Sequence, residues 1–197
     1  MVNPFNELGL GSSRFNPLAH LAINDPNIVA DVASLSEALI VDESSSPHWS
    51  NSARGLVRAI LLHLIATKGQ AATLGDMRRL LTLPLEGPPG EETFGTLVAD
   101  MLASEHGFVR QPAGRFADVE SREIASIIST AITQTDFLDD PRVAETLAGN
   151  DFTITDLKAV PTTVFLILPA RYFDAYAKLF RIFVTSALDQ LTAAPGK

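Results

Sequence analysis

Residues 47–68 read PHWSNSARGLVRAILLHLIATK. Trp49, Ala53, Leu56, Val57, Ile60, Leu61, Leu64 and Ile65 recur at three- and four-residue steps, which makes one broad apolar face of a helix. Ala59, Leu62 and Ala66 make the far side apolar as well. A helix apolar on both sides belongs in the middle of other helices. Its start is marked by Ser46 before Pro47, a hydroxyl cap followed by the residue best tolerated in a first turn. Gly69 marks its stop. Each large aliphatic buried there contributes roughly 1.5–3 kcal/mol, so the spacing predicts that this helix nucleates the core.

Outward on the N-terminal side, Asp42 to Ser46 is a polar connector. Before it, Asp25-Pro26 opens a helix carrying Ile28, Val29, Val32, Leu35, Leu39 and Ile40, running to about Val41. Residues 1–24 have little periodicity. Val2-Asn3-Pro4-Phe5 reads as a strand end, residues 8–13 as a loop, and Phe15-Asn16-Pro17-Leu18 as a turn.

On the C-terminal side, Thr73 and Asp76 have capping-box spacing ahead of Leu74, Met77, Leu80 and Leu81. Pro84 closes that helix, and LEGPPG at 85–90 is a surface loop. Phe94, Leu97, Val98, Met101 and Leu102 mark the next helix, with His106-Gly107 as its end. Pro112 and Gly114 predict a loop over 107–115. From Phe116 the pattern Val119, Ile124, Ile127, Ile128, Ala131, Ile132 predicts one long helix to about Thr135. Asp140-Pro141 caps a short helix from Arg142 to Ala148.

The character changes at 162–168, TTVFLIL, which is β-branched and aromatic and bounded by Pro161 and Pro169. It reads as a strand buried on both faces. The helix after it puts Tyr172, Tyr176, Leu179, Phe180, Phe183, Val184, Ala187, Leu188 and Leu191 on its apolar side. One strand and one helix cannot cover each other. Only the first residues of the chain offer a second strand, so the reading predicts a parallel pairing between 162–168 and the segment around Met1 to Pro4. The helical block between them is then a long excursion that folds on its own. The second face of the strand stays bare, which favours self-association.

The composition is globular: 197 residues, 46% hydrophobic and 19% charged. The absence of cysteine excludes disulfides and thiolate metal sites. No apolar run approaches the ~20 residues of a membrane helix, and MVNPFNELGLG has no signal-peptide pattern, so the chain reads as soluble. A net charge of −8 with scattered basic residues argues against a strong nonspecific grip on nucleic acid. The chain has no G-x-x-x-x-G-K-[ST], no H-E-x-x-H and no G-x-S-x-G. His20, His48, His63 and His106 show no ligand spacing. Glu91-Glu92 and Asp139-Asp140 stand at helix starts, where capping explains them. No residue is a catalytic, cofactor or metal candidate. Arg54 and Arg58, one turn apart, could form an anion or partner contact, though a solvated helix edge explains them as well. Trp49 reads as the anchor where the central helix enters the core, in which case Trp49→Ala costs about 3–5 kcal/mol.

Several stretches taken together resemble a known family. They are Asn3-Pro4-Phe5 followed by Phe15-Asn16-Pro17-Leu18, and Trp49 ahead of Ala53 and Leu56. REIASIISTAITQT at 122–135 leads into Phe137-Leu138-Asp139-Asp140-Pro141-Arg142-Val143-Ala144. Asp156-Leu157 precedes Val164-Phe165-Leu166-Ile167-Leu168-Pro169. In this order they resemble the coupling proteins of type IV secretion and conjugation systems, over essentially the whole chain. The resemblance implies a mainly α fold: a multi-helix all-α domain inserted between short pieces of a RecA-like α/β nucleotide-binding domain. It implies 1–24 and 150–197 as those pieces and 25–149 as the all-α domain. A Walker A loop would lie upstream and a Walker B strand downstream.

The full-length parent is then a hexameric ATPase using ATP and Mg at the cytoplasmic face of the bacterial inner membrane. It would pass relaxase–DNA complexes or effector proteins to the secretion channel. This chain would recognise such protein substrates and would hydrolyse no ATP alone. The alternative from the residues is a free-standing helical enzyme with an unrecognised site.

Overall fold

The structure, a computed structural model, describes residues 1–42, 47–118 and 121–193. Ser46, Val119 and the end at 195–197 lie outside the described residues. Among the described residues the chain is mainly α, with eight α-helices and no strand longer than a single bridge.

The central helix is α2, Pro47–Lys68. Ala53, Leu56, Val57, Ile60, Leu61, Leu64 and Ile65 are buried on one side, and Ala59 and Leu62 on the other. The helix is surrounded by α1 (Ile28–Leu39), α3 (Leu74–Leu81), α5 (Gly107–Ala113) and α6 (Arg122–Gln134). Gly69 takes φ +56°, the left-handed turn that ends it. Thr73 and Asp76 form the expected capping box on α3. A second capping box, Thr93 with Thr96, opens α4 (Phe94–Leu102). Asp140 caps α7 (Pro141–Thr146), accepting the Arg142 amide with Pro141 in the first turn.

Two helical expectations need correction. Residues 107–115 are not a loop: they hold α5 and a short 3-10 turn, Gly114–Phe116. Val109, Ala113 and Phe116 are buried at helical spacing, and packing on α2 and α4 overrides Gly107 and Pro112. Pro112, near the C-terminal end, forfeits only its own N–H bond. Nor does one helix run from Phe116 to Thr135. It breaks after Phe116, and α6 starts afresh at Arg122, with the Ser121 hydroxyl accepting the Glu123 amide at 3.2 Å.

The extended segment is also corrected. Residues 162–168 meet the N-terminus in parallel, as expected, but through the single bridge Val2–Leu166. The Val2 N–H donates to the Phe165 carbonyl at 2.8 Å, and the Ile167 N–H to the Val2 carbonyl at 2.9 Å. The segment is not buried on both faces. Val164, Leu166 and Leu168 lean on the core, while Phe165 is 61% exposed. An apolar β-branched run needs neighbouring strands to become a central strand, and the described chain supplies one residue of one.

The last helix, α8 (Phe173–Ala193), packs on α1, and its Leu179, Ile182 and Phe183 are buried. Its buried face is narrower than the apolar pattern suggests, for Val184 and Leu188 are exposed. Phe183 sits 4.9 Å from Phe15, ring centre to ring centre, so both terminal segments join the same apolar core. No described helix is long and apolar enough to cross a membrane.

Candidate partner-contact surface

The residues singled out in the sequence lie on the first half of α2. Arg54 leans toward α1. Its Nε donates to the Ile40 carbonyl at 3.0 Å and lies 3.3 Å from Glu37. Its other nitrogens reach Asp42 at 3.1 Å and the Asn51 side-chain oxygen at 2.8 Å. The side chain is only 12% exposed. Its charge is matched by two carboxylates, and it also satisfies a carbonyl at the C-terminal end of α1, where a cation is favoured. Arg58, one turn on, is half-buried and has no ion pair among the described residues. The two guanidinium groups therefore have different surroundings, one neutralised and one open.

Trp49 departs from expectation: it is 39% exposed and no core anchor. It lies in the first turn of α2, beside α6. The ring stands edge-on to His48, with centroids 4.9 Å apart. His48 in turn approaches Glu123 at 3.7 Å. Ala125, Ser126, Ser129 and Thr130 of α6 line an open depression of about 510 Å³ beside the indole. Small residues on α6 leave the indole without a wall on that side. Periodicity placed Trp49 on the right stripe but could not show that the stripe outruns its cover. A large, flat ring with a polar N–H beside small hydroxyl residues suits contact with another protein.

The four histidines sit apart, and no group of described side chains is arranged to hold a metal ion. Burial lowers the His63 imidazole below its ordinary value, against the opposing charge of Asp100. That is the behaviour of a boundary histidine on a core helix. One ion pair joins helices. Arg78 holds Asp139 with two bonds of 2.7 and 2.5 Å and also donates to the Ile132 carbonyl and the Thr135 hydroxyl, joining α3 to the end of α6.

Comparison with known proteins decides what this helical body is. Residues 1–195 match the family described as type IV secretory system conjugative DNA transfer. The chain belongs to that family. It is 24% identical over 172 residues to the type IV secretion system-coupling protein VirD4 of Bartonella quintana, covering 85% of this chain and 27% of the relative. It is 24% identical over 171 residues to VirD4 of Bartonella henselae, covering 85% of this chain and 26% of that protein. It is 28% identical over 153 residues to the conjugal transfer protein TraG of Escherichia coli, covering 75% of this chain and 24% of TraG. The chain thus spans about a quarter of the length of these relatives.

Proposed function

We propose that this chain is the substrate-recognition and coupling segment of a type IV coupling protein. It binds a relaxase or an effector protein and presents it to components of the secretion channel. The observation that carries this reading is the half-exposed indole of Trp49 above the open α6 depression, on a chain of the conjugative DNA transfer family. The net charge of −8 supports a protein partner over direct contact with DNA. In this reading Arg58, the open cation one turn beyond Arg54, contributes to the same contact.

The same reading divides the chain into an all-α domain at 25–149 and two pieces of a RecA-like nucleotide-binding domain at 1–24 and 150–197. The parallel Val2–Leu166 bridge supports that division, because it brings the entering and leaving segments of the helical block together. The parent would be a hexameric ATPase using ATP and Mg at the inner membrane, engaging DNA through its relaxase cargo. This segment alone would turn over no ATP, having no phosphate loop in its sequence.

Trp49 is the sole tryptophan and so a built-in reporter. Titrating the chain with a purified relaxase of its own transfer system should shift the indole emission to the blue and move both proteins to one size-exclusion peak. Separate elution with unchanged emission, for relaxase and effector alike, would remove the basis of the proposal.

A further inference from the structure

A cleft of about 290 Å³ opens away from Trp49's depression, where the turn at 20–25, the start of α1, the Ile154–Lys158 turn and the end of α8 meet. Asp25, Asp31 and Asp189 line it, and no described lysine or arginine does. Asp25 accepts the Asn27 amide at 2.8 Å. Asp31 and Asp189 have no side-chain hydrogen bond or ion pair among the described residues. Desolvation raises the Asp31 carboxyl above its ordinary value, with the charges of Asp25 and Asp189 adding to the effect. The one basic group, His20, is lowered by desolvation against the opposing pull of Asp189 and Asp25. At neutral pH it therefore offsets little of the negative charge.

A second, independent feature points the same way. Gln190 is only 8% exposed and forms part of the cleft wall, yet its side-chain amide has no hydrogen-bond partner among the described residues. Every fully enclosed side-chain nitrogen and oxygen among the described residues is partnered. The Gln190 amide is therefore reached by solvent, and it takes its partner from water or from a ligand in the cleft that Gln190 lines.

We propose that this cleft binds a guanidinium or alkylammonium group, with Asp31, Asp189 and the Gln190 amide oxygen accepting its N–H donors. A bare metal ion is the poorer fit, because no described carboxylate or histidine group is arranged to hold one. Acceptors spread around a cleft suit a ligand whose N–H donors are themselves spread, as in a guanidinium with its five. The group comes either from an arginine or lysine of a protein or from a free polyamine. The inference does not depend on the Trp49 contact and is read by different nuclei, so either can fail alone.

The test follows the Gln190 side-chain amide and the Asp31 and Asp189 backbone amides by two-dimensional NMR on the full chain. One titration uses acetyl-arginine-amide as the protein-like probe and the other uses spermidine. Saturating shifts confined to the cleft are expected for at least one probe, and the tighter of the two names the source. Asp31→Asn with Asp189→Asn should weaken binding at least tenfold. Gln190→Leu, which keeps the apolar packing, should weaken it severalfold. Unsaturated shifts with both probes, or saturation unchanged in both variants, would overturn the proposal.

Discussion

The surroundings of α2 and the surroundings of the Val2–Leu166 bridge are held together by different physics. Around α2 the contacts are many, aliphatic and undirected: Ile60, Leu61 and Leu62 are enclosed on every side. Around the bridge, directional polar contacts are added to the apolar packing of Val2 and Leu166. Two backbone hydrogen bonds make the bridge itself. Arg14 grips Asp151. Arg142 lies 4.3 Å from the centre of the Phe5 ring while pairing with Asp140, which also accepts the Tyr176 hydroxyl at 2.9 Å. Phe5 rests against Tyr172 and Tyr176. That clasp joins the N-terminal segment, α7 and α8. The first kind of region fails chiefly through cavities. The second is vulnerable to single polar groups and to acid.

The largest effect is expected at the centre of the first region. Leu61→Ala removes a fully buried side chain from α2 and should cost about 2–5 kcal/mol. Urea unfolding followed by circular dichroism reads it as a lower midpoint at unchanged slope. A loss below about 1 kcal/mol would show that the neighbours collapse into the space, and that the core is looser than its burial implies.

Arg78→Met comes next, because it puts one polar residue inside the apolar region to the test. The Arg78 side chain is nearly buried, whereas Asp139 is largely exposed, so the carboxylate can rehydrate once its partner is gone. What is lost are the charge-assisted bonds to Asp139 and the donations to Ile132 and Thr135. The expected cost is about 2–3 kcal/mol. If Met proves neutral in the same unfolding assay, the apolar stem of Arg78 does the holding and its charge does not.

Much of this contrast was legible in the sequence, and the illegible part has physical causes. The α2 period, the Thr73–Asp76 box and the Asp140-Pro141 start are local signals, and each appears where its spacing puts it. The α5 helix was hidden because Gly107 and Pro112 are strong local breakers, while the packing that overrides them is nonlocal. The Thr93–Thr96 box escaped because its third residue is a threonine rather than an acid or amide. The run at 162–168 correctly announced an appetite for burial, but burial of a strand depends on partners that its own residues do not encode. The Asp25, Asp31 and Asp189 cleft has no linear signature, since α8 and α1 come together only in the fold.

The clasp gives the next smaller effect and a pH dependence. Hydrogen bonding from Arg142 holds the Asp140 carboxyl far below the usual carboxylate range, aided by the Tyr176 hydroxyl and opposed by desolvation. A carboxyl depressed by folding stabilises the native state at pH values above its unfolded value of about 3.9, and loses that contribution as pH falls through the folded value. Tyr176→Phe should therefore cost about 1 kcal/mol at pH 6. The gap between wild type and variant should hold from pH 6 to pH 3, because native Asp140 stays ionised over that range and the unfolded chains titrate alike. Thermal melts at pH 6, 4 and 3 test it. A gap that already narrows by pH 3 would show that native Asp140 protonates there and that the clasp does not hold its carboxyl so low.

The smallest stability effect is expected at Trp49, where the two regions' logic can be sharpened most. Trp49 lies on the α2 stripe, and a stripe position argues for a core-sized loss on truncation. The indole is nevertheless 39% exposed, its nearest ring is His48, and the adjoining wall of α6 is open. Exposed surface that stays wet in both folded and unfolded chains contributes nothing to the difference between them, so only the covered part of the ring counts. Trp49→Ala should then cost under about 1 kcal/mol in urea unfolding. Binding reads the other half of the argument. If the uncovered face is kept for a partner, Trp49→Ala should lose affinity in a pull-down while its unfolding midpoint barely moves. Leu61→Ala should do the opposite under conditions where it remains folded. A Trp49→Ala variant that unfolds several kcal/mol more easily would return the ring to the core and take the partner contact away from α2.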